Sequence, residues 1–133
     1  LIYGVNVESG ISLRKVDIAS GAVTEFFVIP NQRAYNDFSI SPDGKRIAYH
    51  VNVNLSDAIY ISDLNGFNSR LFAQMGTWAV TTPFWSPDGN WLIVIIHPTD
   101  RPDQPTEMAL VNVNDCRIHP MPLNVQSVFG WIQ

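Results

Sequence analysis

Three histidines, one cysteine and two turn aspartates are the side chains of this 133-residue chain whose types could support chemistry. His50, His97 and His119 lie 47 and 22 positions apart. A bound metal needs three or four such groups to converge, and this spacing forms no ligand motif. The histidines are expected at the surface or at strand ends. Cys116 stands between the turn signal Asn114-Asp115 and Arg117. A neighbouring guanidinium lowers a thiol's pKa, but no base accompanies it, so a structural role is expected. Asp43 and Asp88 resemble paired carboxylates or calcium ligands. Both sit in Pro-Asp-Gly, where backbone geometry accounts for them: Pro presets φ near −65°, Asp bonds local amides and Gly accepts positive φ. The chain has no Gly-x-Ser-x-Gly elbow, no phosphate-binding glycine loop, no His-Glu-x-x-His and no Cys-x-x-Cys. No catalytic residue, cofactor or metal is expected.

Composition sets the frame for those side chains. Apolar residues make up 46% and charged residues 15%, which excludes a disordered acidic tail. The net charge of −4 and the lack of a basic stripe argue against nucleic acid as a partner. The longest apolar run, Trp91 to Ile96, is far short of the roughly 20 residues of a membrane helix, so no membrane insertion is expected. Val and Ile total 26 against 8 Leu, and β-branched side chains suit a pleated sheet. A single cysteine rules out an intramolecular disulfide and leaves the compartment open. The first residues, Leu1 to Val5, read as the middle of a strand, as in a piece of a longer protein or a processed product.

Ser41-Pro42-Asp43-Gly44 recurs 45 positions later as Ser86-Pro87-Asp88-Gly89. Phe38-Ser39-Ile40 and Pro83-Phe84-Trp85 precede the two copies; Lys45-Arg46-Ile47-Ala48-Tyr49 and Asn90-Trp91-Leu92-Ile93-Val94 follow them. Each copy reads as four strands. In the middle copy these are roughly Asn36–Ile40, Arg46–Val51, Ala58–Asp63 and Ser69–Ala73. In the third they are roughly Val80–Trp85, Trp91–Ile96, Met108–Val113 and Arg117–Met121. At the start, Leu1-Ile2-Tyr3 aligns with Ile47-Ala48-Tyr49, and Val16–Gly21 aligns with Ile61–Gly66. The N-terminal unit thus lacks a first strand, and Ser127–Trp131 resembles that missing strand. A β-sandwich also has short strands and frequent turns, but the repetition argues against it. Four antiparallel strands every ~40–45 residues is the signature of a β-propeller blade.

An apolar pair followed by Ser-Pro-Asp-Gly and a strand like Arg46-Ile47-Ala48-Tyr49 resembles the TolB-like propeller repeat. The resemblance covers nearly the whole chain. It implies an all-β fold of about three blades within a single domain, 1–133. Blade 1 takes residues 1–30 and is completed by 127–133; blade 2 takes about 35–74 and blade 3 about 79–122. Such blades occur in the periplasmic TolB component of the Tol-Pal system, in propellers attached to prolyl-oligopeptidase-type peptidases, and in other bacterial proteins. The resemblance implies a periplasmic or extracytoplasmic location. Asp17 and Asp63 have Asn112 as counterpart, so no role of that aspartate extends to all units. Propellers carry about 4–8 blades. Two chains pairing as a homodimer would give a six-bladed ring, with Val128–Ile132 of each completing the first blade of the other. The alternative is a fragment whose other blades lie elsewhere.

The connections joining strands two and three, and those entering the next blade, share one rim and are the longer ones. His97–Glu107 is the longest; Asn52–Asp57 and Glu8–Ser12 are its equivalents. Asn31–Tyr35 and Gln74–Trp78 enter the next blades on the same rim. Arg33, Tyr35, Trp78, Asp100, Arg101 and Asp103 have the composition of an interface anchor set. The function expected is a non-enzymatic module binding a protein or peptide. The alternatives are an accessory domain of a serine peptidase and a purely structural assembly unit. Tyr49, Tyr60, Phe84, Trp85, Trp91 and Trp131 are expected to pack between blades.

Overall fold

The structure is a computed structural model describing residues 1–30, 38–53, 56–74, 78–80, 82–98, 103 and 106–121. Every regular element among them is a strand. In chain order these are β1 (Ile2–Val7), β2 (Gly10–Val16), β3 (Val23–Pro30), β4 (Phe38–Ile40), β5 (Arg46–Val53), β6 (Ser56–Asp63), β7 (Arg70–Gln74), β8 (Trp78–Val80), β9 (Phe84–Trp85), β10 (Trp91–Pro98), β11 (Glu107–Asn112) and β12 (Ile118–Met121). They form three antiparallel sheets in sequence order: β1-β2-β3, β4-β5-β6-β7, and β8 with β9 on β10, then β11 and β12.

Alternation along the strands stacks the sheets. In β5, Ile47, Tyr49 and Val51 join Ile11, Leu13 and Ile29 of the first sheet in one core. Ala48, between them, joins Ile59, Ile61 and Phe72 against Leu92, Val94, Ala109 and Val111 of the third sheet. The middle sheet is therefore buried on both faces. A strand buried on both sides reads as a continuous apolar run rather than an alternation, which is why Ile47-Ala48-Tyr49 carries no polar partner. Registry confirms the division, with Ala48 opposite Ile61 and Tyr49 opposite Tyr60.

Several strand limits differ from the sequence reading. The segments Asn52–Asp57 and Glu8–Ser12 belong largely to strands, with Glu8-Ser9 left as a turn and residues 54 and 55 outside the described residues. Pairing continues through Asn52 with Asp57 and Val53 with Ser56, and β2 begins at Gly10 opposite Val7. Main-chain hydrogen bonds here override polar side chains that resemble loop residues. The first strand of the third sheet is divided into β8 and β9, both paired to β10. Trp78 is accordingly a strand residue opposite Pro98, not part of a loop. Residues 127–133, expected to complete the first blade, lie outside the described residues.

Candidate functional site

The two rims are built differently. On one, Ser41 Oγ donates to Asp43 Oδ1 at 2.5 Å, the Lys45 N–H reaches the same oxygen at 3.1 Å, and the Arg46 N–H donates to Ser41 Oγ at 2.9 Å. The second copy repeats this: Ser86 Oγ to Asp88 at 2.5 Å, the Asn90 N–H at 3.1 Å, and the Trp91 N–H to Ser86 Oγ at 2.9 Å. Gly44 and Gly89 both take φ 69°, where a Cβ would be strained. Donation by the serine hydroxyl, then by the following backbone amides, holds both aspartates below the usual carboxylate range. These carboxylates are occupied by their own turns, as the sequence implied.

Three bonds between residues far apart in sequence cross the seam between the second and third sheets. Arg46 Nη2 donates to the Gly89 carbonyl at 3.0 Å, Arg70 Nη2 to the Val113 carbonyl at 2.9 Å, and Trp85 Nε1 to the Ser39 carbonyl at 3.1 Å. The Arg46 guanidinium also lies 4.8 Å from the Trp85 ring centroid. Cys116 sits exposed on this side, in a tight turn at φ 59°, consistent with a turn role. His119 is exposed with its ring 5.5 Å from that of Trp91.

The opposite rim gathers the groups the turns leave over. His50 is neither a surface nor a strand-end residue. Its Nε2 lies 3.0 Å from Asp57 Oδ1, with the two side chains 13% and 9% exposed. The β5–β6 register creates this pair: His50 opposes Ile59, and Asp57 is two residues along the same face. That face looks toward the third sheet, where β8 packs against β6. His97 Nδ1 is 2.9 Å from Thr106 Oγ1, closing the ends of β10 and β11. Pro98, next to it, pairs with Trp78. The rim thus brings together the backbone of Trp78, the His97–Thr106 pair and the His50–Asp57 pair. Asp103 lies exposed in a turn. Arg33, Tyr35, Asp100 and Arg101 fall outside the described residues. The histidine–aspartate pair was readable only from the register, since six residues lie between its members and Asp57 resembles a loop position. Among the described residues no three His, Cys, Asp or Glu side chains converge as metal ligands do.

Comparison with known proteins agrees on the architecture. TolB from Acinetobacter baumannii superposes with a TM-score of 0.69 at 15% identity, covering 90% of this chain and 28% of that one. A putative TolB from Agrobacterium tumefaciens gives 0.68 at 18% identity, covering 90% of this chain and 43% of that one. The chain folds as stacked blades of a β-propeller. The β-propeller domain of the Trilobed protease from Pyrococcus furiosus, described as having an open velcro topology, gives 0.60 at 16% identity and covers 91% of this chain and 38% of that one. The chain spans less than half the length of each of these structures. No family model and no curated protein matches it. The TolB-like resemblance read from Ser-Pro-Asp-Gly therefore holds at the level of fold.

Proposed function

We propose that this propeller segment is a non-enzymatic binding module, and that its partner is a protein or peptide seated on the rim of the histidine pairs. The supporting observation is the division of labour between rims. The Ser-Pro-Asp-Gly side spends its polar groups on its own turns and on the seam, whereas the other carries Trp78, the long 99–106 connection and exposed Asp103. Arg33, Tyr35, Asp100 and Arg101 supply the remaining anchors, since aromatic and arginine side chains dominate interface energetics. The TolB-like resemblance extends the reading to an extracytoplasmic location. A photo-crosslinking residue at Asp103 captures the partner, and one at Lys45 does not. Trp78→Ala or Arg101→Ala removes the capture with far-UV circular dichroism unchanged. Equal capture at Lys45, or capture indifferent to both variants, defeats the reading.

A second reading concerns the ring. The face of the third sheet turned away from the second carries half-buried Phe84 and Leu110, both opposite Ile93, while Ile93 and Ile95 on it are already buried within the chain. Such a face resembles those already buried in the two seams. The β1 edge, opposite β2, has no partner strand among the described residues. A homodimer in which residues 127–133 of each copy add to β1 of the other would use both features. Sedimentation equilibrium showing only a species of 14.9 kDa excludes it. The peptidase-accessory alternative is supported by the Pyrococcus match, and a hydrolase segment in the same reading frame would select it.

A further inference from the structure

The outermost strands of the three sheets are not protected alike. β12 has four residues and includes Pro120, which has no N–H to offer. β7 has five residues, and its leading Arg70 is committed to the Val113 carbonyl. Short length, proline and charge are the ordinary means of blunting a sheet edge. β3 has eight residues, Val-Thr-Glu-Phe-Phe-Val-Ile-Pro, with Glu25 as its one charge and its proline confined to the last position, which leaves seven residues with an N–H. It pairs with β2 on one side, and among the described residues nothing pairs with the other.

A groove of about 400 Å³ runs beside this edge, lined by Glu25, Phe26, Phe27 and Val28 of β3 and by Asn65, Gly66 and Phe67 of the β6–β7 turn. Phe67 is 69% exposed, yet the turn that carries it is fixed. The Asp63 N–H donates to the Phe67 carbonyl at 3.0 Å, the Phe67 N–H to Asn65 Oδ1 at 3.2 Å, and Asn68 Nδ2 to Asp63 Oδ2 at 2.7 Å. Gly66 presses on Phe27 so closely that a Cβ would stand 2.5 Å from the ring. A rigidly displayed aromatic beside an unpaired strand loses little entropy on binding.

We propose that β3 is a strand-addition site for an extended peptide of another protein. Its backbone would pair with the free edge, one apolar side chain would enter the groove under Phe67, and a basic side chain would face Glu25. An extended backbone is the complement that a row of free N–H and C=O groups selects, and groove-filling at alternate positions gives specificity. Glu25 Oε2 accepts from Ser12 Oγ and stands 4.0 Å from Arg14 Nε, yet the side chain stays 53% exposed and is the one charged group lining the groove, so a basic side chain of the peptide is the charge it would favour. The site lies on the blade perimeter and does not depend on the rim reading.

The probe is a synthetic nine-residue peptide of alternating threonine and valine with a central phenylalanine and a lysine at each end. Amide hydrogen exchange on the whole chain should show new protection across Val23–Ile29. Phe67→Ala should weaken binding about tenfold, as loss of an interface anchor does. Methylating alternate backbone nitrogens of the probe should abolish it. Protection on β1 instead of β3, no protection at millimolar peptide, or equal binding by the methylated probe overturns the proposal. Protection, before peptide is added, of those Val23–Ile29 amides that do not bond to β2 would put this chain or a second copy on the edge, and would overturn it equally.

Discussion

The seam between the first and second sheets and the seam between the second and third are filled by different means. The first places several rings around an aliphatic core of Ile11, Leu13, Ile29, Ile47 and Val51. Phe27 meets Tyr49 edge-on with centroids 5.5 Å apart, and Tyr49 stacks on Tyr60 at 5.8 Å. Phe38 lies against the same core. The second sets small Ala48, Ala109, Val94, Val111 and Val113 among Ile59, Ile61, Leu92 and Ile96, with Phe72 and Trp85 as its rings. Small side chains let backbones approach, and β8 comes against β6 and β9 against β4 there. Close approach also places arginine and indole donors within reach of carbonyls on the neighbouring sheet. One repeat therefore supports two kinds of joint: rings act as spacers in one, and small residues with polar cross-links close the other.

Truncation in each core separates the two most strongly. Leu13→Ala and Leu92→Ala each remove a fully buried side chain and should cost about 2–5 kcal/mol. The closely packed second seam has less room to relax, so Leu92→Ala should be the costlier in denaturant unfolding. The reverse order breaks the comparison. Gly66→Ala probes the aromatic joint from its turn. At φ 84° and against the Phe27 ring it should cost about 1–3 kcal/mol and alter the near-UV circular dichroism of the tyrosines. Gly44→Ala, at φ 69° with open space around the added methyl, should cost only the conformational part, about 1 kcal/mol, and leave that spectrum unchanged.

Arg46→Ala acts on the second seam alone. Loss of the Gly89 bond and of the stacking on Trp85 should cost about 1–2 kcal/mol. Arg46→Lys should restore little, because an ammonium lacks the planar face. The smallest effects are those of pH, and they have opposite signs in the two regions. Asp43 and Asp88 have folded pKa values below the unfolded one. Their contribution is complete above about pH 4 and is lost as pH falls through the folded values. Burial raises the Tyr49 phenol, so its contribution is complete below about pH 10 and is lost as pH rises. Asp43→Asn with Asp88→Asn should flatten the acid limb of the stability profile, and Tyr49→Phe the alkaline limb.

Much of the architecture was legible because it rests on repeated local chemistry. Ser-Pro-Asp-Gly specifies a turn whose bonds are made within six residues, so its recurrence located both complete sheets. What escaped depends on registry. Asn52, Ser56 and Asp57 resemble loop residues, yet the β5–β6 ladder runs through them and turns His50 toward Asp57. Phe26 and Phe72 each have no opposite residue, because the pairing slips at the same point of two repeats. A bulge of this kind leaves no turn residue to announce it. Trp78 reads in the sequence as part of a connection, since the three residues of β8 are too few to show a strand period.

The middle sheet's two buried faces also govern how the protein loosens. Opening it requires parting both neighbours at once, whereas each flanking sheet forms one of those two seams. Transient unfolding should therefore begin at the ends of the stack and travel inward. The slowest-exchanging amides should lie in β5 and β6, making that sheet the keystone of the molecule's kinetic persistence.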